Sequence, residues 1–125
     1  MSTYDKGARS ERELIEMFSK RGFSVMRAAG SGVGGSPDLL AFKKGKWYAF
    51  ECKAWGSGSI MVSKERFRKL KEWEENTGIT TMLAWRIKRF GWLFIHLDIL
   101  DAHRKNYTIT MKKAMLVGRR FEDLA

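Results

Sequence analysis

The sequence predicts a single α/β domain. Three features point to it: an amphipathic helical stretch opens the chain, a series of short strand-like stretches follows, and a second, capped helix leads into another apolar hairpin. With 125 residues, 44% hydrophobic and 13% aromatic, the chain is long enough for one core and too short for two ordinary domains. Residues 1–125 are therefore taken as one unit, with 98–125 as its C-terminal extension.

Residues 5–21 are expected to be helical, because Leu14, Ile15 and Phe18 share one face, Asp5 is a candidate N-cap and Gly22 lies just past the end. Residues 23–27 alternate like a strand. A glycine-rich loop from Ala29 to Pro37 comes next, then a strand from Asp38 to Lys43, a tight turn at Lys44-Gly45 and a strand from Lys46 to Lys53. Gly56-Ser57-Gly58-Ser59 reads as a mobile loop. Ser63 is placed to cap a helix running to about Thr77 and stopped by Gly78, and Thr80–Ile87 is expected to pair with Trp92–Leu97. Centring that hairpin between Arg89 and Phe90 opposes Ile87 to Trp92, Trp85 to Phe94 and Leu83 to His96, an aromatic face suited to core or to a subunit interface. Beyond it are a short strand around 107–109, a helical turn over 111–117 and a basic tail.

Lys and Arg number 24 against 14 Asp and Glu, for a net charge of +10. That excess favours a polyanionic partner, and its spread along the chain favours nucleic acid over a membrane surface. No apolar run approaches membrane-spanning length and the N-terminus lacks a signal peptide pattern, so a soluble, cytoplasmic and nucleoid-associated protein is expected. The one cysteine, Cys52, has no disulfide partner within the chain, and it forms no zinc-site spacing with His96 and His103.

Gly30, Gly32 and Gly35 satisfy the dinucleotide-binding pattern G-x-G-x-x-G. The pattern requires a helix opening at its third glycine, and here Ser36-Pro37-Asp38 leads into another apolar strand. The hairpin is more informative. With Lys44 and Gly45 as its two central residues, Lys43 faces Lys46 and Asp38 lies directly opposite Glu51. Opposed residues share a face with Cβ atoms about 5 Å apart, close enough for two carboxylates to hold one hard divalent cation. Lys53 projects to that same face by the two-residue period. Glu11 lies on the packing face of the first helix with Ile15 and Phe18, whereas Glu13 and Glu16 do not, which makes Glu11 the candidate third carboxylate; a role at the helix N-terminus is the alternative.

Lys6-Gly7-Ala8-Arg9-Ser10-Glu11-Arg12-Glu13, Arg27-Ala28-Ala29-Gly30-Ser31-Gly32, Pro37-Asp38 and Glu51-Cys52-Lys53 together resemble the archaeal Holliday junction resolvases, within the PD-(D/E)XK nuclease superfamily. The resemblance covers residues 5–97 in order. It implies a central mixed β-sheet flanked by helices, a restriction-endonuclease-like core, a homodimer, and Mg²⁺-dependent hydrolysis in two opposed strands of a four-way DNA junction, with Mn²⁺ able to substitute. It also implies that Glu11, Asp38 and Glu51 form the acidic cluster, that Lys53 is the catalytic lysine, and that Ser31 is the active-site serine. The match departs at Met61, where relatives tend to carry tyrosine. Metal held by the carboxylates and the Cys52 carbonyl would activate water and polarise the phosphate, with Lys53 stabilising the transition state.

The second helix places Lys64, Arg66, Arg68, Lys69 and Lys71 early and Glu72, Glu74 and Glu75 late, against its macrodipole. That order suggests phosphate binding at its start, joined by Lys6, Arg9, Arg12, Arg27 and Ser31 as DNA contacts. Two other readings stay open: a related nuclease acting on flap, nicked or duplex DNA, and a non-catalytic basic DNA-binding protein.

Overall fold

The computed structural model describes residues 3–28, 35–54 and 58–125, with side chains from Gly7 onward. The opening helix, α1 (Thr3–Lys20), ends at Gly22, whose φ of 87° lets the chain reverse. The Phe23 and Gly22 amides donate to the carbonyls of Phe18 and Ser19, each at 3.1 Å, satisfying the last turn and aiming the chain into the sheet.

Strands β1 (Ser24–Arg27), β2 (Leu39–Lys43) and β3 (Lys46–Lys53) form an antiparallel meander. After β4 (Ser59–Ser63) and α2 (Lys64–Thr77), β5 (Thr80–Ile87) returns parallel to β3, and β6 (Gly91–His96) folds back antiparallel. Among the described residues the main sheet has the order β1-β2-β3-β5-β6-β9, with β9 (Arg119–Arg120) at one edge. It is therefore mixed, because the connection through α2 is long enough for a parallel return. Ser63 caps α2 through its hydroxyl, which accepts from the Arg66 amide at 3.0 Å, and Gly78 closes the helix with φ 72°.

The two faces of this sheet bury separate cores. On one, Leu14 and Phe18 of α1 pack with Leu39, Phe50, Met82, Trp92 and Phe94. On the other, Leu70 of α2 packs with Leu83, Trp85, Leu93 and Ile95, and with Ile60, Val62 and Ile109 of a smaller sheet. That smaller sheet was not anticipated. It has the order β4-β8-β7, with β7 (Asp101–Ala102) and β8 (Asn106–Thr110), and it gives β4 a partner where a loop through Ser59 was expected. Residues 55–57 of that expected loop lie outside the described residues. The helical turn over 111–117 is present as α3 (Met111–Val117).

Two expectations are corrected. The β5–β6 hairpin pairs Ile87 with Gly91 across a three-residue turn, using positive φ at Arg89 (65°) and Gly91 (118°). The extra residue shifts the register by one, so Trp85 faces Leu93, Phe94 faces Ala84, and His96 faces Met82. The aromatic stripe is thereby divided between the two cores, and Trp85, Trp92 and Phe94 are all buried, which removes it as a subunit interface. The basic tail is also a structural clip. Arg119 and Arg120 pair with Phe94 and Leu93, and α4 (Phe121–Leu124) buries Leu124 and sets Phe121 edge-on to Phe18 at 4.9 Å. Tyr48 Oη and Lys46 Nζ donate to the carbonyls of Leu124 and Ala125.

Candidate active site

The first hairpin has the register expected of a two-residue turn. Gly45 adopts φ 80°, Lys43 pairs with Lys46, and the ladder runs to Leu39 opposite Phe50. Asp38 is the next residue before β2 and Glu51 the next along β3, so the two carboxylates stand opposite each other where β2 begins. The Asp38 carbonyl accepts from the Ala28 amide at 2.9 Å, and its Oδ2 accepts from the Cys52 amide at 2.9 Å. These bonds fix Asp38 from both sides. Lys53, half-buried, shares the Glu51 face by strand alternation.

Preceding Asp38, the chain leans on α2. Gly35 is buried with φ 73°, and a Cβ built there would lie 3.0 Å from Lys69 Cβ, so a side chain at this position would force α2 away from the site. The chain from Gly35 leads into β2 without an intervening helix, as argued against dinucleotide binding. Gly30, Ser31 and Gly32 lie outside the described residues, as does the side chain of Lys6.

Glu51 is 8% exposed and is held by a residue assigned above to DNA. Arg66 donates to both of its oxygens, Nε to Oε2 and Nη2 to Oε1, each at 2.8 Å, while Nη2 also donates to the Ser36 carbonyl at 2.7 Å. Such a two-point guanidinium–carboxylate pair fixes orientation as well as charge. Glu11 is paired with Arg27 at 3.2 Å. Among the described residues, no three His, Cys, Asp or Glu side chains are grouped to hold a metal ion as they stand. Two of the three carboxylates are turned toward guanidinium groups.

Among the described residues, Asp38 has no such guanidinium partner. Burial and then the neighbouring Glu51 carboxylate raise its pKa from 3.8 to about 6; the Cys52 amide opposes the rise, Glu11 adds to it, and Arg66 offsets it weakly. The Cys52 thiol is raised well above its ordinary value, first by burial and then by Asp38, Glu11 and Glu51, so it is an inert packing group. Asp38 and Glu51 thus bring two carboxylates close together, a hard-oxygen donor set that suits a hard divalent ion.

Glu13 was placed off the packing face, yet its Oε1 accepts from Arg86 Nε at 2.8 Å and Trp92 Nε1 at 2.7 Å. The apolar stripe of α1 is wide enough to include its edge, and the shifted hairpin register sets Trp92 opposite Arg86 there. Of the remaining basic candidates, Arg9 and Arg12 are exposed on α1. Lys64 sits over the Tyr107 ring at 4.2 Å, and Arg68 meets Glu72 at 3.5 Å. At Met61, Sδ accepts from Asn106 Nδ2 at 3.9 Å.

Comparison with known proteins identifies family and fold over nearly the whole chain. A family model described as archaeal Holliday junction resolvase (hjc) matches residues 2–125. The chain is 42% identical over 108 residues to the crossover junction endodeoxyribonuclease Hjc of Methanocaldococcus jannaschii, covering 85% of this chain and 77% of the relative. It is 30% identical over 127 residues to the Hjc of Archaeoglobus fulgidus, covering 94% and 93%. The 1.6 Å structure of the A. fulgidus Hjc, a Holliday junction resolvase, superposes with a TM-score of 0.84 at 25% identity, covering 94% of this chain and 93% of that one.

Proposed function

The chain belongs to the archaeal Holliday junction resolvase family, and from that premise we infer that it is a structure-selective endonuclease that resolves four-way DNA junctions by paired, Mg²⁺-dependent cuts in opposed strands. The observation that carries the chemistry is the hairpin register that sets Asp38 opposite Glu51, with Lys53 next on the same face. The residues that would hold the ion are Asp38, Glu51 and the Cys52 carbonyl, with Glu11 close enough to act electrostatically on Asp38. Bound there, Mg²⁺, or Mn²⁺ in its place, supplies Lewis-acid activation of the phosphodiester and of the attacking water. The protein supplies the rest. The Cys52 amide fixes Asp38, and Lys53 offsets charge developing on the phosphate as the 3′ oxygen departs. Ser31, outside the described residues, is assigned a supporting role on the family resemblance.

Net charge of +10 supports tight, salt-sensitive binding to the phosphate backbone, with Arg9, Arg12 and Lys64 among the available contacts. A symmetric junction needs two cuts and each chain carries one cleavage constellation, which favours a two-fold homodimer. Trp47 and Met26, 60% and 59% exposed, lie on strands adjoining the site and supply apolar surface for such a contact. No helix among the described residues is long and apolar enough to cross a membrane; the junction-DNA substrate is the ground for proposing a cytoplasmic, nucleoid-associated protein.

The test is to incubate the protein in Mg²⁺ with a four-way junction and with linear, splayed and flap duplexes of matched sequence. Symmetric paired incisions in the junction and little cutting elsewhere are expected. Equal cutting of all substrates would refute junction selectivity.

A further inference from the structure

We propose that Arg66 is the protein's own counter-cation for Glu51, holding that carboxylate in the metal-free state and yielding it to a divalent ion as the site loads. The proposal rests on the metal-dependent reading above and adds a positioning residue to it. Arg66 occupies both Glu51 oxygens at 2.8 Å and is steadied by the Ser36 carbonyl at 2.7 Å. Its side chain is only 20% exposed and that of Glu51 10%, so the pair is shielded from water on most sides. A hard cation needs direct contact with carboxylate oxygen. The guanidinium fork already engages both oxygens in the geometry that suits it best.

The other basic residues early in α2 are placed differently. Lys64 rests on Tyr107, Arg68 pairs with exposed Glu72 and Lys69 with exposed Glu65. Arg66 alone among these four is turned inward to an acidic residue of the candidate site. Its backbone is fixed, because the amide donates to the Ser63 cap, so release of Glu51 would be a movement of the side chain alone. The ion and the guanidinium therefore compete for one carboxylate. Apparent ion affinity is reduced by the fraction of molecules in which Glu51 is free.

Calorimetric titration of the full chain with Ca²⁺, without DNA, tests this independently of turnover. Wild type, Arg66→Gln, Arg66→Lys and Glu51→Gln would be compared. Arg66→Gln should bind Ca²⁺ about tenfold more tightly than wild type, since one charge-assisted pair no longer has to be broken. Arg66→Lys keeps the charge and loses the fork, so it should gain a smaller factor, about threefold, on the same grounds. Metal-free Arg66→Gln should melt below wild type and gain more from Ca²⁺. If Arg66→Gln fails to fold, Arg66→Lys carries the test, and binding by it no tighter than wild type would overturn the proposal. Equal or weaker Ca²⁺ binding by folded Arg66→Gln would overturn it too. A different result, wild-type affinity in Glu51→Gln, would overturn the metal site itself.

Discussion

Replacing Asp38 with Asn should make the metal-free protein more stable at pH 8 while abolishing junction cleavage. Burial beside Glu51 raises the Asp38 pKa from 3.8 to about 6, which means that the folded state disfavours its charged form. At about 1.4 kcal/mol per pH unit, holding that charge costs about 3 kcal/mol, reduced to about 1–2 kcal/mol by the carboxylate's partial access to water. Because the folded pKa lies above the unfolded one, the protein retains more protons folded than unfolded between these values. Stability from this group is therefore full below pH 3.8, is lost as pH rises through about 6, and stays low above it. Asparagine carries no charge and keeps an oxygen to accept from the Cys52 amide, so the variant escapes the loss. Urea denaturation in chelator at pH 8 should show the variant about 1–2 kcal/mol more stable, with the gap closing as pH falls toward 4. Adding Mg²⁺ at pH 8 should stabilise the wild type and leave the variant unchanged, and the variant should still bind junction DNA. A gap independent of pH, or a variant less stable than wild type at pH 8 without metal, would refute the argument from buried like charges.

The C-terminal clip predicts that Leu124→Ala, at a site 1% exposed in the same core as Phe18 and Phe94, costs about 2–4 kcal/mol in urea denaturation. An unchanged midpoint would show residues 119–125 to be dispensable to the core. The homodimer reading predicts a two-chain mass by light scattering at micromolar concentration and a shift toward monomer in Trp47→Lys, which leaves the buried cores untouched. A monomeric wild type would count against the two-cut arrangement, whereas a dimeric Trp47→Lys would move the interface elsewhere.

Much of this was legible in the residues because it depends on neighbours in sequence. The Lys44-Gly45 turn alone sets the pairing that opposes Asp38 and Glu51, and Ser63 and Gly78 mark both ends of α2. Where a single residue of turn length decided the answer, local signals did not suffice. Arg89 adopts a positive φ that its type does not announce, and the slip it allows sends Trp85 to one core and Trp92 to the other. Long-range pairing was hidden too. Residues 59–63 become a strand only because residues 106–110 supply its hydrogen-bond partner, and residues 119–120 only because β6 has a free edge.

The same division runs through the candidate active site. By itself the sequence determined which face Asp38, Glu51 and Lys53 share, since strand periodicity and a two-residue turn leave no freedom in that register. Only the tertiary structure decided their partners. The packing of α2 across the sheet brings Arg66 to Glu51, α1 brings Glu11 to Arg27 and Glu13 to Arg86 and Trp92, and burial raises the Asp38 pKa. Charge pairing over such separations depends on how layers stack. No spacing within the chain encodes it.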